Sequence, residues 1–116
     1  MRKIRSHLVG IDNGEAVLFS DFEDDGPMWA GTGPREVRQA VKFSQSYQDV
    51  PTVSVSVSMW DMAGDSNGRM DIRAEHVTHD GFDLVFRTWS DTRIARVRAT
   101  WQSIGELEDE DAWQLY

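Results

Sequence analysis

Residues 81–101 read GFDLVFRTWSDTRIARVRATW, and the architecture follows from how this stretch alternates. Phe82, Leu84 and Phe86 share one parity, and beyond a polar break Ala95, Val97, Ala99 and Trp101 do the same. Successive side chains on a strand point to opposite faces, so each run offers one apolar face to a core. Arg87, Arg93, Arg96 and Arg98 then point away from it. The spacing predicts two strands meeting at a tight turn, an arginine-rich hairpin at the edge of a β-fold whose tip exposes Trp89-Ser90-Asp91-Thr92.

Working back along the chain, the same alternation recurs. Residues 52–58, TVSVSVS, place valines on one face and serines on the other. Serines make a surface low in charge, which fits either the close approach of another backbone, such as that of a neighbouring protomer, or ordinary hydrated surface. Val37, Gln39, Val41 and Phe43 share one parity, and residues 69–78 form a further strand that leads into the opening stretch. Near the start, residues 8–11 and 16–19 flank Asn13-Gly14, a dipeptide that favours a type I′ turn and so predicts an opening hairpin. Residues 21–34 are rich in acids, glycine and proline and read as loop, with Trp29 as a lid over the core. No stretch sustains a helical period. The expectation is an all-β fold, a small antiparallel sandwich or barrel.

Length and composition narrow the function classes. The chain has 116 residues, 40% of them hydrophobic, with five Trp and five Phe. That is enough for one domain with a core of its own. Residues 1–105 read as that domain and residues 106–116 as an acidic tail, whose Trp113, Leu115 and Tyr116 suit docking on a neighbour or on the domain itself. The absence of cysteine excludes a disulfide framework, thiol catalysis and a Cys-based zinc site. No other metal site is read: His76 and His79 fall on opposite strand faces, and the acidic loops lack the ligand spacing of a calcium loop. A net charge of −8 disfavours a nucleic-acid partner. The first residues give no secretory signal and no membrane span is read, so no membrane insertion is expected and the compartment stays open.

The chemistry present is that of binding. No Gly-x-Ser-x-Gly elbow accompanies the histidines, and a chain of this size leaves little room for a substrate cleft with a buried acid, so no enzyme is expected. Of the twelve basic residues all but Lys3 and Lys42 are arginine. Strand arginines can pair with strand carboxylates on a solvated face. They can also make flat, bidentate contacts to vicinal oxygens. A saccharide site asks for an aromatic ring against the apolar face of a sugar and for planar or charged groups against its hydroxyls. Trp89 offers the ring, while Arg69, Ser90, Asp91 and Arg93 offer the hydrogen bonds. An indole and a guanidinium brought together at the rim of the sandwich would form such a cradle.

From about Gly33 to Gly105 the chain resembles the H-type lectin domain. The pieces that carry the resemblance are Arg35-Glu36, Val41-Lys42-Phe43, Tyr47 with Pro51, Asp61 with Arg69, Val77-Thr78 with Gly81-Phe82, Thr88-Trp89 with Thr92, and Trp101. The resemblance implies a six-stranded antiparallel β-sandwich that assembles as a homotrimer, with trimers able to pair, and that binds galactose-type or N-acetylgalactosamine-type glycans without a metal or other cofactor. Its pockets would lie near contacts between protomers. On this reading the family's sugar-contacting arginine falls on Arg69 and its tryptophan on Trp89. A position that can be histidine is Ser90, the loop aspartate falls near Thr32, with Ala30 close to a family glycine, and a pocket tyrosine falls on Ala95. A second reading is a structural or adaptor module of a larger phage-like or surface particle that kept the scaffold.

Overall fold

The computed structural model describes residues 1–5 and 7–108, so the expectation for Trp113, Leu115 and Tyr116 lies outside the described residues. The described residues form six strands and one helical turn: β1 Val9–Ser20, α1 Pro27–Ala30, β2 Arg35–Lys42, β3 Thr52–Met62, β4 Asp71–Glu75, β5 Gly81–Thr88 and β6 Ile94–Glu106. They form two three-stranded antiparallel sheets, β1-β6-β3 and β2-β5-β4. The two sheets face each other as a sandwich, each closing the apolar face of the other.

The topology corrects the expected hairpin. β5 pairs with β2 and β4, while β6 pairs with β1 and β3, so the two strands of residues 81–101 are not bonded to each other. Each is the central strand of its own sheet, and the residues between them arch across the core. Composition explains why: Phe82, Leu84, Val85 and Phe86 on β5 and Ile94, Ala95, Val97 and Ala99 on β6 are buried. Strands this apolar belong at the centre of a sheet, covered by neighbours on both edges. Phe82, Leu84 and Phe86 share the inner face as their parity predicts. Val85, outward by parity, has Arg38 and Arg73 as its ladder neighbours, and the stems of such side chains can cover apolar surface.

A second correction concerns Asn13-Gly14. No turn forms there, and β1 runs unbroken with Asn13 opposite Gln102 and Gly14 opposite Trp101. A Cβ at residue 14 would stand 2.8 Å from Nε1 of Trp101, so the glycine makes room for an indole across the ladder rather than for a bend. Trp101 in turn packs on Phe43 and Phe82, with ring centroids 6.0 and 5.5 Å away. At the same end Tyr47 lies edge-on to Phe43 at 5.1 Å, and its hydroxyl meets buried Ser103 Oγ at 2.8 Å, so the polar atoms inside are partnered. Toward the other end Phe19 packs against Phe86 at 5.6 Å.

The outer faces of the two sheets differ. On β2-β5-β4, Arg38 pairs with Glu75 at 3.0 Å and Asp83 at 3.1 Å, and Arg87 pairs with Glu36 at 2.8 Å and Glu75 at 2.9 Å. The Arg87 and Arg38 hydrogen bonds hold Glu75 below the usual glutamate range. Strand arginines and carboxylates therefore do pair on this face. On β1-β6-β3 the outward rows are Ile11, Ile104 and Thr52; Asn13, Gln102 and Ser54; and Glu15, Thr100 and Ser56. Ile11, Val17 and Ile104 stand exposed there.

Candidate functional site

The arch between β5 and β6 is positioned by two threonines. Thr88, the last residue of β5, and Thr92 are 1% and 0% exposed, polar side chains in the interior at the end of the sandwich. Thr88 Oγ1 donates to the carbonyl of Arg69, and Thr92 Oγ1 donates to the carbonyl of Asn67 while accepting from the amide of Arg69 at 3.1 Å. Buried hydroxyls require such partners, and here they fasten residues 67–69 to the arch. The expected strand over residues 69–78 is shorter, Asp71–Glu75, because Arg69 is committed to these threonines and His76 turns with φ 51°.

With its backbone fixed, Arg69 directs Nη1 to Asp91 Oδ1 at 2.7 Å. The Asn67 side-chain amide reaches Asp91 Oδ2 at 3.1 Å. That amide, with the Asn67 backbone N–H and the charge of Arg69 behind it, holds the Asp91 carboxyl below the usual aspartate range. Asn67, Arg69 and Asp91 thus form a preassembled polar group at the surface. Trp89, two residues away, is 42% exposed. Its indole lines a hollow of about 400 Å³ with Pro34, Arg35, Glu36, Arg87 and Thr88. Arg69 is not part of that lining, so within one chain the indole and the guanidinium occupy one rim without closing a shared cradle. Ser90 sits at the tip with φ 61°, a left-handed conformation that orders the turn.

Thr32 reaches the same end through its neighbour. Gly33, with φ 75°, donates its amide to the carbonyl of Ser90 at 2.9 Å. Arg35 secures the junction: Nε donates to the Gly33 carbonyl at 2.8 Å, Nη2 to that of Ser90 at 3.2 Å, and Nη1 to that of Met28 at 3.2 Å. It meets backbone oxygens in place of a carboxylate, and burial pushes its guanidinium pKa down. Arg93 turns the other way, its guanidinium 4.3 Å from the Trp29 ring centroid and its Nε donating to the Trp29 carbonyl at 3.1 Å. Trp29 is half-buried and edge-on to Phe22 at 5.1 Å, while Met28 beside it is the residue fully inside.

All five expected residues, Thr32, Arg69, Trp89, Ser90 and Asp91, therefore gather at one end of the sandwich. Asn67, Arg35, Thr88 and Thr92 were not expected to position them. Thr88 and Thr92 bracket the exposed tryptophan in the sequence, and a polar pair between two apolar strands is the signal that marks them. Among the described residues no group of three or more His, Cys, Asp or Glu is arranged to hold a metal ion, and no helix is long and apolar enough to cross a membrane.

Comparison with known proteins adds the family. The model of the H-type lectin domain matches residues 38–104. A protein described as "ATP synthase subunits region ORF 7", from Fuscovulum blasticum, is 52% identical over 107 residues, covering 92% of this chain and 93% of its own length. Discoidin-2 of Dictyostelium discoideum is 36% identical over 72 residues, 60% of this chain and 28% of discoidin-2. A discoidin-1 chain from the same organism is 31% identical over 77 residues, 66% of this chain and 30% of that protein, so the chain spans under a third of the discoidins' length. The structure of recombinant discoidin II superposes with a TM-score of 0.74 at 24% identity, over 94% of this chain and 41% of that one. That likeness is one of fold.

Proposed function

Because the chain belongs to the H-type lectin domain family, we propose that it is a non-enzymatic carbohydrate-binding protein that takes galactose-type or N-acetylgalactosamine-type glycans and works as a trimer. The observation that carries this is the Asn67, Arg69 and Asp91 group beside exposed Trp89. Arg69 is the polar anchor. Asp91 engages it through Nη1, and the rest of the guanidinium fork makes no hydrogen bond with a described residue, which leaves donors for a pair of sugar hydroxyls. Trp89 is the apolar contact, with Ser90 and Thr32 as further polar contacts. Asp91 orients the arginine in addition to accepting from sugar. Preorganisation of this kind lowers the cost of binding.

Assembly is favoured by the contrast between the two outer sheet faces. β2-β5-β4 is covered by ion pairs, whereas β1-β6-β3, over the rows from Ile11 to Val17 and away from the Ser20, Arg96 and Asp61 row, exposes Ile11, Val17 and Ile104 among serine, threonine and amide side chains, with Glu15 and Arg98 as its charges. A weakly charged face with exposed aliphatics suits burial against a second copy. Each chain then contributes a rim that a neighbour can complete, and linked shallow sites gain avidity for a ligand that spans them. Ile11→Asp should yield monomers by sedimentation velocity where the parent protein is trimeric. On a glycan array Arg69→Ala should lose the signal while its circular dichroism stays unchanged. Array binding by Arg69→Ala equal to that of the parent would reject the site.

A further inference from the structure

A second hollow, of about 310 Å³, lies against the loop that carries Trp29. Ser20, Phe22, Glu23, Trp29, Asp61 and Arg96 line it, with Met62 and Ala95. It shares no lining residue with the hollow at Trp89 and contains none of the five residues assigned above, although Ala95, where the resemblance places a pocket tyrosine, stands at its edge. Its floor is built by register: Ser20 on β1, Arg96 on β6 and Asp61 on β3 stand side by side in one row of the sheet. The register shifts of this sheet, at Val17/Phe19, Val57/Met59 and Asp61/Met62, fall in the half of the sheet that ends here. Bulges of this kind bend strands and re-aim side chains, and they concentrate beside binding sites.

The wall is aromatic. Phe22, 57% exposed, meets the Trp29 ring edge-on, and Arg93 immobilises the indole through its stacking contact and its hydrogen bond to the Trp29 carbonyl. An exposed phenyl and a clamped indole over a polar floor form a platform for a ligand with one apolar face. The charges select among ligand classes. A cation would meet Arg96. An anion would meet Glu23 and Asp61, with Asp21, Asp24 and Asp25 close in sequence to Glu23. A neutral polyhydroxylated ring uses both signs, because its hydroxyls donate to carboxylates and accept from the guanidinium. The Arg96 to Asp61 contact of 3.4 Å, with side chains 56% and 55% exposed, keeps donor and acceptor adjacent and open to solvent, as vicinal hydroxyls require. The volume lies at the small end of ligand pockets, which run from roughly 300 Å³ upward, and fits a single ring better than an extended chain.

We propose that this hollow is a second saccharide subsite, taking one neutral hexose ring against Trp29 and Phe22 with its vicinal hydroxyls on Arg96, Asp61 and Glu23. The inference rests on the glycan-binding reading and extends it to residues outside the Arg69 and Trp89 rim. The test follows the assigned indole N–H signals of Trp29 and Trp89 by NMR while galactose or N-acetylgalactosamine is titrated into the full chain. Both signals should move. Asp61→Asn and Phe22→Ala, each at an exposed position, should weaken the Trp29 response about tenfold or more and leave that of Trp89 unchanged. Arg69→Ala should do the reverse. A response at Trp89 without one at Trp29 overturns the second subsite alone, as does a Trp29 response that survives both Asp61→Asn and Phe22→Ala. No response at either indole, together with a blank glycan array, overturns the glycan reading and this inference with it.

Discussion

Replacing Thr92 with valine keeps the shape of the side chain and removes its hydroxyl, which isolates the device that fastens residues 67–69 to the arch. Thr92 is 0% exposed, and its hydroxyl serves the Asn67 carbonyl and the Arg69 amide together. Stranding a buried polar group costs about 1–3 kcal/mol. Both stranded groups lie on a segment that is only partly buried, so the lower end applies to each, and the variant should lose about 2 kcal/mol in all. For a domain of this size that corresponds to a fall in Tm of roughly 8 °C. Thr92→Ser keeps both hydrogen bonds and removes one methyl, a loss of about 0.8 kcal/mol. Urea unfolding of the three proteins, followed by tryptophan fluorescence, measures the series. Because the same hydroxyl places the backbone of Arg69, Thr92→Val should also weaken glycan binding at temperatures where the protein is fully folded, while Thr92→Ser should retain it. A Thr92→Val protein within about 0.5 kcal/mol of the parent, or a serine variant as damaged as the valine one, would refute the reasoning.

Other outcomes follow from the same geometry. Gly14→Ala would drive a methyl into the Trp101 indole, 2.8 Å from Nε1, and should cost about 1–3 kcal/mol in urea unfolding; a neutral result would mean that the indole has room to shift. The Asp91 carboxyl lies below the usual aspartate range, chiefly through the Asn67 side-chain amide. A group with a depressed native pKa stabilises the fold above its unfolded value and loses that contribution as pH falls through the native one. If Asp91 must be ionised to hold Arg69, glycan binding should persist from neutrality through the usual aspartate range and fall only as pH passes through the lowered Asp91 value, tracking the Asp91 carboxyl carbon shift. Asn67→Ala should move that midpoint upward, and an unmoved midpoint would remove the amide from the explanation. Together with Ile11→Asp and Arg69→Ala above, these variants separate the fold, the assembly and the site.

The candidate site was partly legible before any fold was known. Arg69, Trp89, Ser90 and Asp91 were candidates by type and spacing, since an exposed aromatic beside planar polar groups is a property of composition at a turn, whereas Thr32 entered only through the family resemblance. What those residues do to one another was not. Asp91 offers itself in sequence as a ligand contact, and in the fold it also holds Arg69. Arg35 was visible only as one matching position, and its bonds to carbonyls from three separate segments exist only once the chain has closed.

Which segments extend, and which face of each turns inward, is written in the order of the residues, because side-chain alternation is a local property of the pleat: Phe82, Leu84 and Phe86 point to the core whatever strand lies beside them. Strand partners emerge only when the whole chain is folded. Residues 81–101 read as a hairpin, yet the two strands sit in opposite sheets, each central between two neighbours with its apolar residues buried. Asn13-Gly14 carries a local preference for a turn, and a thirteen-residue partner strand with an indole opposite the glycine overrides it. Pairing is a choice among distant segments made by the summed burial of the whole sandwich, and no local pattern encodes that sum.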